Sequence, residues 1–506
     1  MVEINLLYPG KQGGKARSYG FASDLIKDLN LSVILEAMAG RDEFIYQSCK
    51  AIMMNLISDV EVLKFRQQMV NDAINNEEFY EELYRLAGAA VESVEKNKGK
   101  GKQGTREQSK TQQIYSSLQL LLIEVKYLEK VKDIMRSDAA ERSSGMMAFS
   151  QNLKELCSDE FVQIMQELVD SMAFLLRGGR IVVTAGVGGG MKCSDGVVSQ
   201  LEPFDVQKKS RILSLLQKWV RFLSPECIVL RDTACVQEAA QMETNALHYL
   251  LECFQKLIVE LQDFFEQLKY QISFYVGCAR LHHKMEQLHM RVTFPKVCQG
   301  TDKMDAQDLY ELSMALTTLR TPVPNSISDD CHLHIISGAN QGGKSTFLRS
   351  VGIAQVMMQA GLFVPAAYYA SPLYDMILTH FTRREDSSMN SGRLVEEMKR
   401  MNHMVNMVSA KSLILMNESF SSTTEKEGSL VADSIIRALF DSGVTVWMVT
   451  HLYEFASRLY QRGAPGMRFM CADRREDGSR TFKILDGEPQ ETSYGMDLYQ
   501  EIVGTL

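Results

Sequence analysis

Gly338-Ala339-Asn340-Gln341-Gly342-Gly343-Lys344-Ser345 decides the reading of this chain, because it spells a complete G-x-x-x-x-G-K-S. It follows an apolar run, His332-Leu333-His334-Ile335-Ile336, that reads as a buried strand, and it opens a stretch with helical spacing. Strand, glycine-rich turn and helix N-terminus form the context such a loop needs. Glycines let the backbone curl so that its N–H groups point inward at phosphate oxygens, and the helix N-terminus adds partial positive charge. Lys344 is then placed to reach the β- and γ-phosphates of a nucleotide, and the Ser345 hydroxyl to ligate Mg²⁺.

Two further apolar runs lie downstream, Ser412-Leu413-Ile414-Leu415-Met416 and Val444-Thr445-Val446-Trp447-Met448-Val449, with helical segments between. Short apolar strands alternating with helices predict a mostly parallel sheet buried on both faces, an α/β fold. The first run ends in Asn417-Glu418. After a phosphate loop this suggests a Walker B arrangement, in which one side chain holds the Mg²⁺ shell and the next polarises the attacking water. Asn417 stands where an aspartate is usual. It still accepts a hydrogen bond from a metal-bound water but carries no charge, which predicts weaker Mg²⁺ retention and slower turnover. The second run ends in Thr450-His451. In ATPases of this layout a histidine there senses the γ-phosphate, whereas a lone strand-end histidine is usually structural, so the assignment leans on its neighbours. Met467 to Asp473 and Arg480 to Leu485 flank Asp477-Gly478, a hairpin signal.

Upstream the pattern is helical. Apolar residues recur at helical spacing from Ser23 to about Ala90, and again from Ile114 to Leu176. Between them Lys96 to Lys110 (KNKGKGKQGTREQSK) carries six basic residues against one acidic, which reads as a solvated linker. From Gly178 to about Thr233 the pattern breaks into a strand-like Ile181-Val182-Val183-Thr184 and an irregular GVGGGMK stretch. A long Leu-, Gln- and Glu-rich helical run follows from Val236 to about Leu288. The predicted organisation is a helical core and first lever over 1–177 with a basic flexible linker at 96–112. A clamp-like irregular and β region follows at 178–235, then a returning lever helix at 236–292 and a nucleotide-binding domain at 293–506. His282, His283 and His289 lack metal-site spacing and read as surface or packing residues.

The composition is that of an ordinary globular protein, 45% hydrophobic and 23% charged, with only ten prolines to interrupt long helices. The net charge of −8 excludes nucleic-acid binding by bulk charge alone, though not through a local basic patch. Ten scattered cysteines with no C-x-x-C pair read as reduced cytosolic thiols. Neither a leader-like N-terminus nor a clean run of about twenty apolar residues is evident, so the expected location is cytoplasmic, with no membrane.

Together these residues resemble the MutS family of ATP-driven DNA-clamping proteins. The family's G-P-N-x-G-G-K-S-T appears as Gly338-Ala339-Asn340-Gln341-Gly342-Gly343-Lys344-Ser345-Thr346, and its glycine-aromatic-Val-Pro-Ala, with one insertion, as Gly361 to Ala366. Val323-Pro324-Asn325-Ser326-Ile327 is similar to V-P-N-D-I, Phe381-Thr382-Arg383 to F-T-R, and Glu397-Met398 to the end of S-T-F-x-x-E-M. Thr423 and Gly428 fall in the body of the G-T-S-T-x-D-G loop. Thr450-His451, Asp486-Gly487 and Ser493-Tyr494-Gly495 follow in family order, and Arg66-Gln67-Gln68-Met69-Val70 is similar to its core-domain helices.

The resemblance implies an ABC-type P-loop ATPase domain at the C-terminus, using ATP and Mg²⁺. It also implies a homodimer with its two ATP sites side by side and levers ending in a clamp around DNA. Glu418 and His451 would be the catalytic pair, and Ser345 and Asn417 the metal ligands. By register Phe482 stands where an aromatic ring stacks on adenine; a core phenylalanine on a hairpin strand accounts for it equally well. The departures shape the expectation too. No counterpart of the mismatch-reading N-terminal domain is recognised, and Phe79-Tyr80-Glu81, in the acidic helical NNEEFYEELYRL, reads as a chance match to Phe-x-Glu. Gly392-Arg393-Leu394 replaces Ser-Thr-Phe, and Ser419 to Glu425 replaces the family's glycine- and arginine-containing loop. Two functions follow: a clamp ATPase on DNA, branched or recombining DNA included, without mismatch recognition; or a nucleotide-dependent switch or scaffold with little or no hydrolysis.

Overall fold

The computed structural model describes residues 4–10, 20–101, 110–137, 142–156, 160, 163, 167, 180–187, 193–202, 233–298, 303–383, 392–475 and 479–490. In chain order its helices are α1 (Ala22–Asp28), α2 (Leu31–Ala39), α3 (Glu43–Met53), α4 (Val60–Asn75), α5 (Glu77–Gly101), α6 (Lys110–Ile134), α7 (Ser144–Leu156) and α8 (Thr233–Gln287). There follow α9 (Leu312–Thr318), α10 (Lys344–Gln359), α11 (Arg393–Val405), α12 (Glu425–Asp441) and α13 (Tyr453–Arg462). The chain divides into two compact units, Met1–Leu6 with Glu78–Ile272, and Leu7–Glu77 with Ser273–Leu506.

The first unit is helical. Along α8 the residues Leu251, Phe254, Ile258, Leu261, Phe265, Leu268 and Ile272 are buried at alternating spacings of three and four, the seam that the sequence spacing predicts. Phe264 stacks on Phe149 of α7 at 6.4 Å. The Gln271 amide clamps the N-terminal segment, donating to the Ile4 carbonyl at 2.7 Å and accepting from Leu6 N–H at 2.8 Å. Strands β1 (Arg180–Val187) and β2 (Cys193–Glu202) pair as an antiparallel hairpin with two register irregularities. Residues 203–232 of the expected clamp-like region lie outside the described residues. The expected linker differs at its ends: α5 continues to Gly101 and α6 begins at Lys110. An i,i+4 pair, Glu92 with Lys96 at 3.1 Å, supports the helix where the charge run begins. Phe79, Tyr80 and Glu81 lie within α5, with Tyr80 buried in its core.

The second unit carries a six-stranded sheet in the order β12-β11-β6-β10-β9-β8. These strands are β6 (Leu333–Ser337), β8 (Met376–Phe381), β9 (Ser412–Asn417), β10 (Thr445–Val449), β11 (Met467–Arg474) and β12 (Arg480–Asp486). Every neighbouring pair is parallel except the β11–β12 hairpin. Strands β6 and β10 are buried throughout, as their unbroken apolar runs require. A smaller sheet runs β3-β7-β4-β5, from β3 (Lys296–Val297), β7 (Tyr368–Ser371), β4 (Met304–Leu309) and β5 (Asn325–Asp329). Because β6, β8, β9 and β10 are parallel, their C-terminal ends share one edge of the large sheet, the edge at which open α/β sheets bind ligands.

Arg66 of α4 is fully buried in this unit. Its guanidinium donates to the carbonyls of Leu7 and Ala360 and lies over the rings of Tyr8 and Phe274. Gly361, at φ +85°, lets the chain turn against the Arg66 stem, where an added Cβ would come within 2.8 Å. His282 meets Phe363 edge-on at 5.2 Å, a packing contact.

Candidate nucleotide-binding site

The phosphate loop leaves the end of β6 and enters α10 through Gly343, whose φ of +92° only glycine adopts without strain. Gly342 is closed in by Ala472 of β11: an added Cβ would stand 2.7 Å from the Ala472 methyl and 3.1 Å from the Ala339 carbonyl. Lys344 is buried, and its ammonium donates to the carbonyls of Gly338 at 2.7 Å and Ala339 at 2.8 Å. Burial pushes its pKa below the ordinary lysine value, with Glu418 partly offsetting that by its negative charge.

The sheet brings the second expected element to the same place. Ser345 Oγ donates to Asn417 Oδ1 at 2.7 Å, across 72 residues of sequence. The two side chains offer neutral oxygen donors side by side, the hard-ligand type that suits Mg²⁺. Glu418 follows at φ +55°, a conformation rare for a residue with a side chain, and its N–H donates to the Val449 carbonyl at 2.9 Å. At the end of β10, Thr450 N–H donates to the Ile336 carbonyl, and the Thr450 hydroxyl accepts from Leu452 N–H. His451 thus leaves the strand that lies between β6 and β9.

Phe482 is 45% exposed, so the core-phenylalanine reading does not hold. Its φ is +59°, and its backbone and Cβ flank Gly343 of the phosphate loop. Asn325 holds it there: the amide donates to the Phe482 carbonyl at 3.2 Å and accepts from Ile484 N–H at 2.8 Å. Arg480 donates to the side chain of Gln341 at 2.7 Å, joining the same hairpin to the loop. Asn325 and Arg480 carry no assigned role in the sequence reading. Asn325 was visible there only as a motif letter, and the contacts of both span more than 130 residues. Ser493-Tyr494-Gly495 lies outside the described residues, as does the Asp477-Gly478 turn.

Segment 417–422 is tied down from the strand and helix beside it. Thr382 Oγ donates to the Glu418 carbonyl at 2.6 Å. Ser419 Oγ lies 2.7 Å from Nδ1 of His380 and 2.8 Å from the carbonyl of that histidine, while His380 Nε2 faces the Glu397 carbonyl at 3.2 Å. Burial, with Arg400 and Arg383 adding to it, pushes His380 down to about 4, so the ring is neutral near pH 7. A carbonyl only accepts, so Nε2 carries the hydrogen, while the Ser419 hydroxyl donates to the His380 carbonyl.

The fold and loop define a P-loop phosphate-binding domain of the α/β class. Family models agree: that of MutS domain V matches residues 334–503, and that of the MutS2 N-terminal domain residues 58–288. The DNA mismatch repair protein MutS of Lactobacillus helveticus is 27% identical over 289 residues, which covers 51% of this chain and 33% of that protein. The Streptococcus suis protein of the same name is 32% identical over 182 residues, covering 35% and 21%. MutS protein homolog 4 of Homo sapiens is 22% identical over 409 residues, covering 73% and 41%. The chain therefore spans between about a fifth and two fifths of the length of these relatives. It is a MutS-like protein. Among the described residues no helix is long and apolar enough to cross a membrane.

Proposed function

We propose that this chain binds ATP with Mg²⁺ on the loop Gly338–Thr346, hydrolyses it, and uses the nucleotide cycle to open and close a dimer on DNA. The observation that carries the reading is the convergence of Lys344, Ser345 and Asn417, with Glu418 the next residue along the chain. The loop N–H groups and Lys344 hold the phosphates, and Phe482 offers its exposed ring to the base. Ser345 and Asn417 would hold Mg²⁺, which would supply neutralisation of the phosphate charge. Glu418 would orient the attacking water and accept its proton, and His451, following β10, would sense the γ-phosphate. DNA as the partner rests on the relatives, which are DNA mismatch repair proteins. We assign the hydrolytic domain to 293–506, the lever and clamp to the segments before it, and the site of action to the cytoplasm.

Asn417 favours a second reading, in which occupancy rather than turnover changes the shape of the molecule. Mg²⁺-dependent ATP turnover, measured alone and with linear or four-way-junction DNA beside sedimentation of the nucleotide-bound form, separates the two. The ATPase reading expects a dimer whose turnover DNA alters. Tight ATP binding without turnover, indifferent to DNA, supports the switch and overturns the clamp.

A further inference from the structure

Glu397 lies on α11, one helix away from the loop and outside every role assigned above, yet its carboxylate is buried at 7% exposure. Oε1 accepts from Phe420 N–H at 2.5 Å and Oε2 from the Ser422 hydroxyl at 2.5 Å. The segment it grips is the one that sets the direction of Glu418. Glu418 and Phe420 both adopt positive φ, +55° and +65°, without being glycine. Such conformations persist only where the surroundings over-determine them. Three anchors surround the turn: Thr382 on the Glu418 carbonyl, His380 on Ser419, and Glu397 on Phe420 and Ser422. Glu397 alone contributes a charged acceptor, and hydrogen bonds to ionised acceptors are about twice as strong as neutral ones. Its own carbonyl receives Nε2–H of His380, so one residue of α11 closes the ring of contacts.

We propose that Glu397 is the positioning residue of Glu418: it locks the strained turn after β9 so that the Glu418 carboxylate is aimed at the water. The inference rests on the reading of this site as an ATPase. Both carboxylate oxygens are taken up by Phe420 and Ser422, so it acts on the chemical step and not on binding. Misplacement of a reacting group by about 1 Å can cost on the order of a hundredfold in rate.

The test compares Glu397→Gln, Ser422→Ala and wild type for kcat and for ATP affinity, each also in a Glu418→Gln background. The glutamine keeps one carbonyl acceptor for Phe420 N–H but turns a donor toward Ser422, so the fold is retained while the grip weakens. The expected result is a fall in kcat of about tenfold for Glu397→Gln, with ATP affinity within about twofold of wild type. Ser422→Ala falls less. In the Glu418→Gln background neither change lowers the residual rate further, because the group they aim is gone. Unchanged kcat, a matching loss of affinity, or a full additive loss in that background overturns the positioning role. Wild-type protein without turnover that Lys344→Ala abolishes overturns the ATPase reading, and this inference with it.

Discussion

At the scale of single residues, the contact between Ser345 and Asn417 shows most plainly what one atom changes. Ser345 Oγ meets Asn417 Oδ1 at 2.7 Å, the contact an aspartate would make, but with no charge behind it. Asn417→Asp restores that charge without altering shape. The Mg²⁺ concentration for half-maximal turnover should fall about fivefold, given that a charged acceptor about doubles the strength of a hydrogen bond. A magnesium titration of the two proteins measures it, and identical curves would place the metal elsewhere. His380 gives a second prediction. Its native pKa is near 4 against an ordinary value of 6.5, so the folded ring stays neutral while the unfolded ring takes up a proton. The sign follows: stability is lost as pH falls from about 6.5 to about 4, by on the order of 3 kcal/mol, and is unaffected above that window. Urea unfolding of wild type and His380→Gln across pH 4 to 7.5 should show the variant's curve to be flatter. Parallel curves would mean that His380 is not neutral in the fold.

At the scale of elements, what the sequence reveals depends on how far apart the contacting residues lie. The phosphate loop, the strand before it, β9, β10 and the β11–β12 hairpin were all legible, because each is written in consecutive residues with a period of two or an unbroken apolar run. So was the buried seam of α8. The anchors of the turn after β9 were not. Glu397 reaches Phe420 over 23 residues, Ser419 reaches His380 over 39, and Asn325 reaches Ile484 over 159. No local period encodes such pairs. The charge run differs only where it begins: Lys96 is exposed, as a solvated run requires, while helix propagation from α5 carries the backbone through to Gly101. Close packing between elements was equally silent. Gly352 of α10 faces β9 and α1's end so closely that an added methyl would overlap Leu415 and come within 2.8 Å of Leu29. Gly352→Ala should cost about 1–3 kcal/mol, lowering the melting temperature by several degrees. A melting temperature equal to wild type would show that α10 sits further from the sheet.

At the scale of the whole molecule, the two units divide the proposed labour. In the proposed reading the sheet unit would hold nucleotide at the C-terminal edge of β6, β9 and β10, and the helical unit would supply the levers. The chain's net charge of −8 would leave the proposed DNA contact to local basic surface rather than to the field of the protein. Everything proposed at this scale depends on one property of the site, that Glu418 directs hydrolysis of a nucleotide held by Lys344. The direct measurement is Mg²⁺-dependent ATP turnover of the wild type beside Lys344→Ala and Glu418→Gln, with ATP affinity measured on all three. The account predicts slow turnover in the wild type, loss of binding in Lys344→Ala, and retained binding with a loss of turnover of at least about a hundredfold in Glu418→Gln. Turnover that survives Glu418→Gln would contradict it.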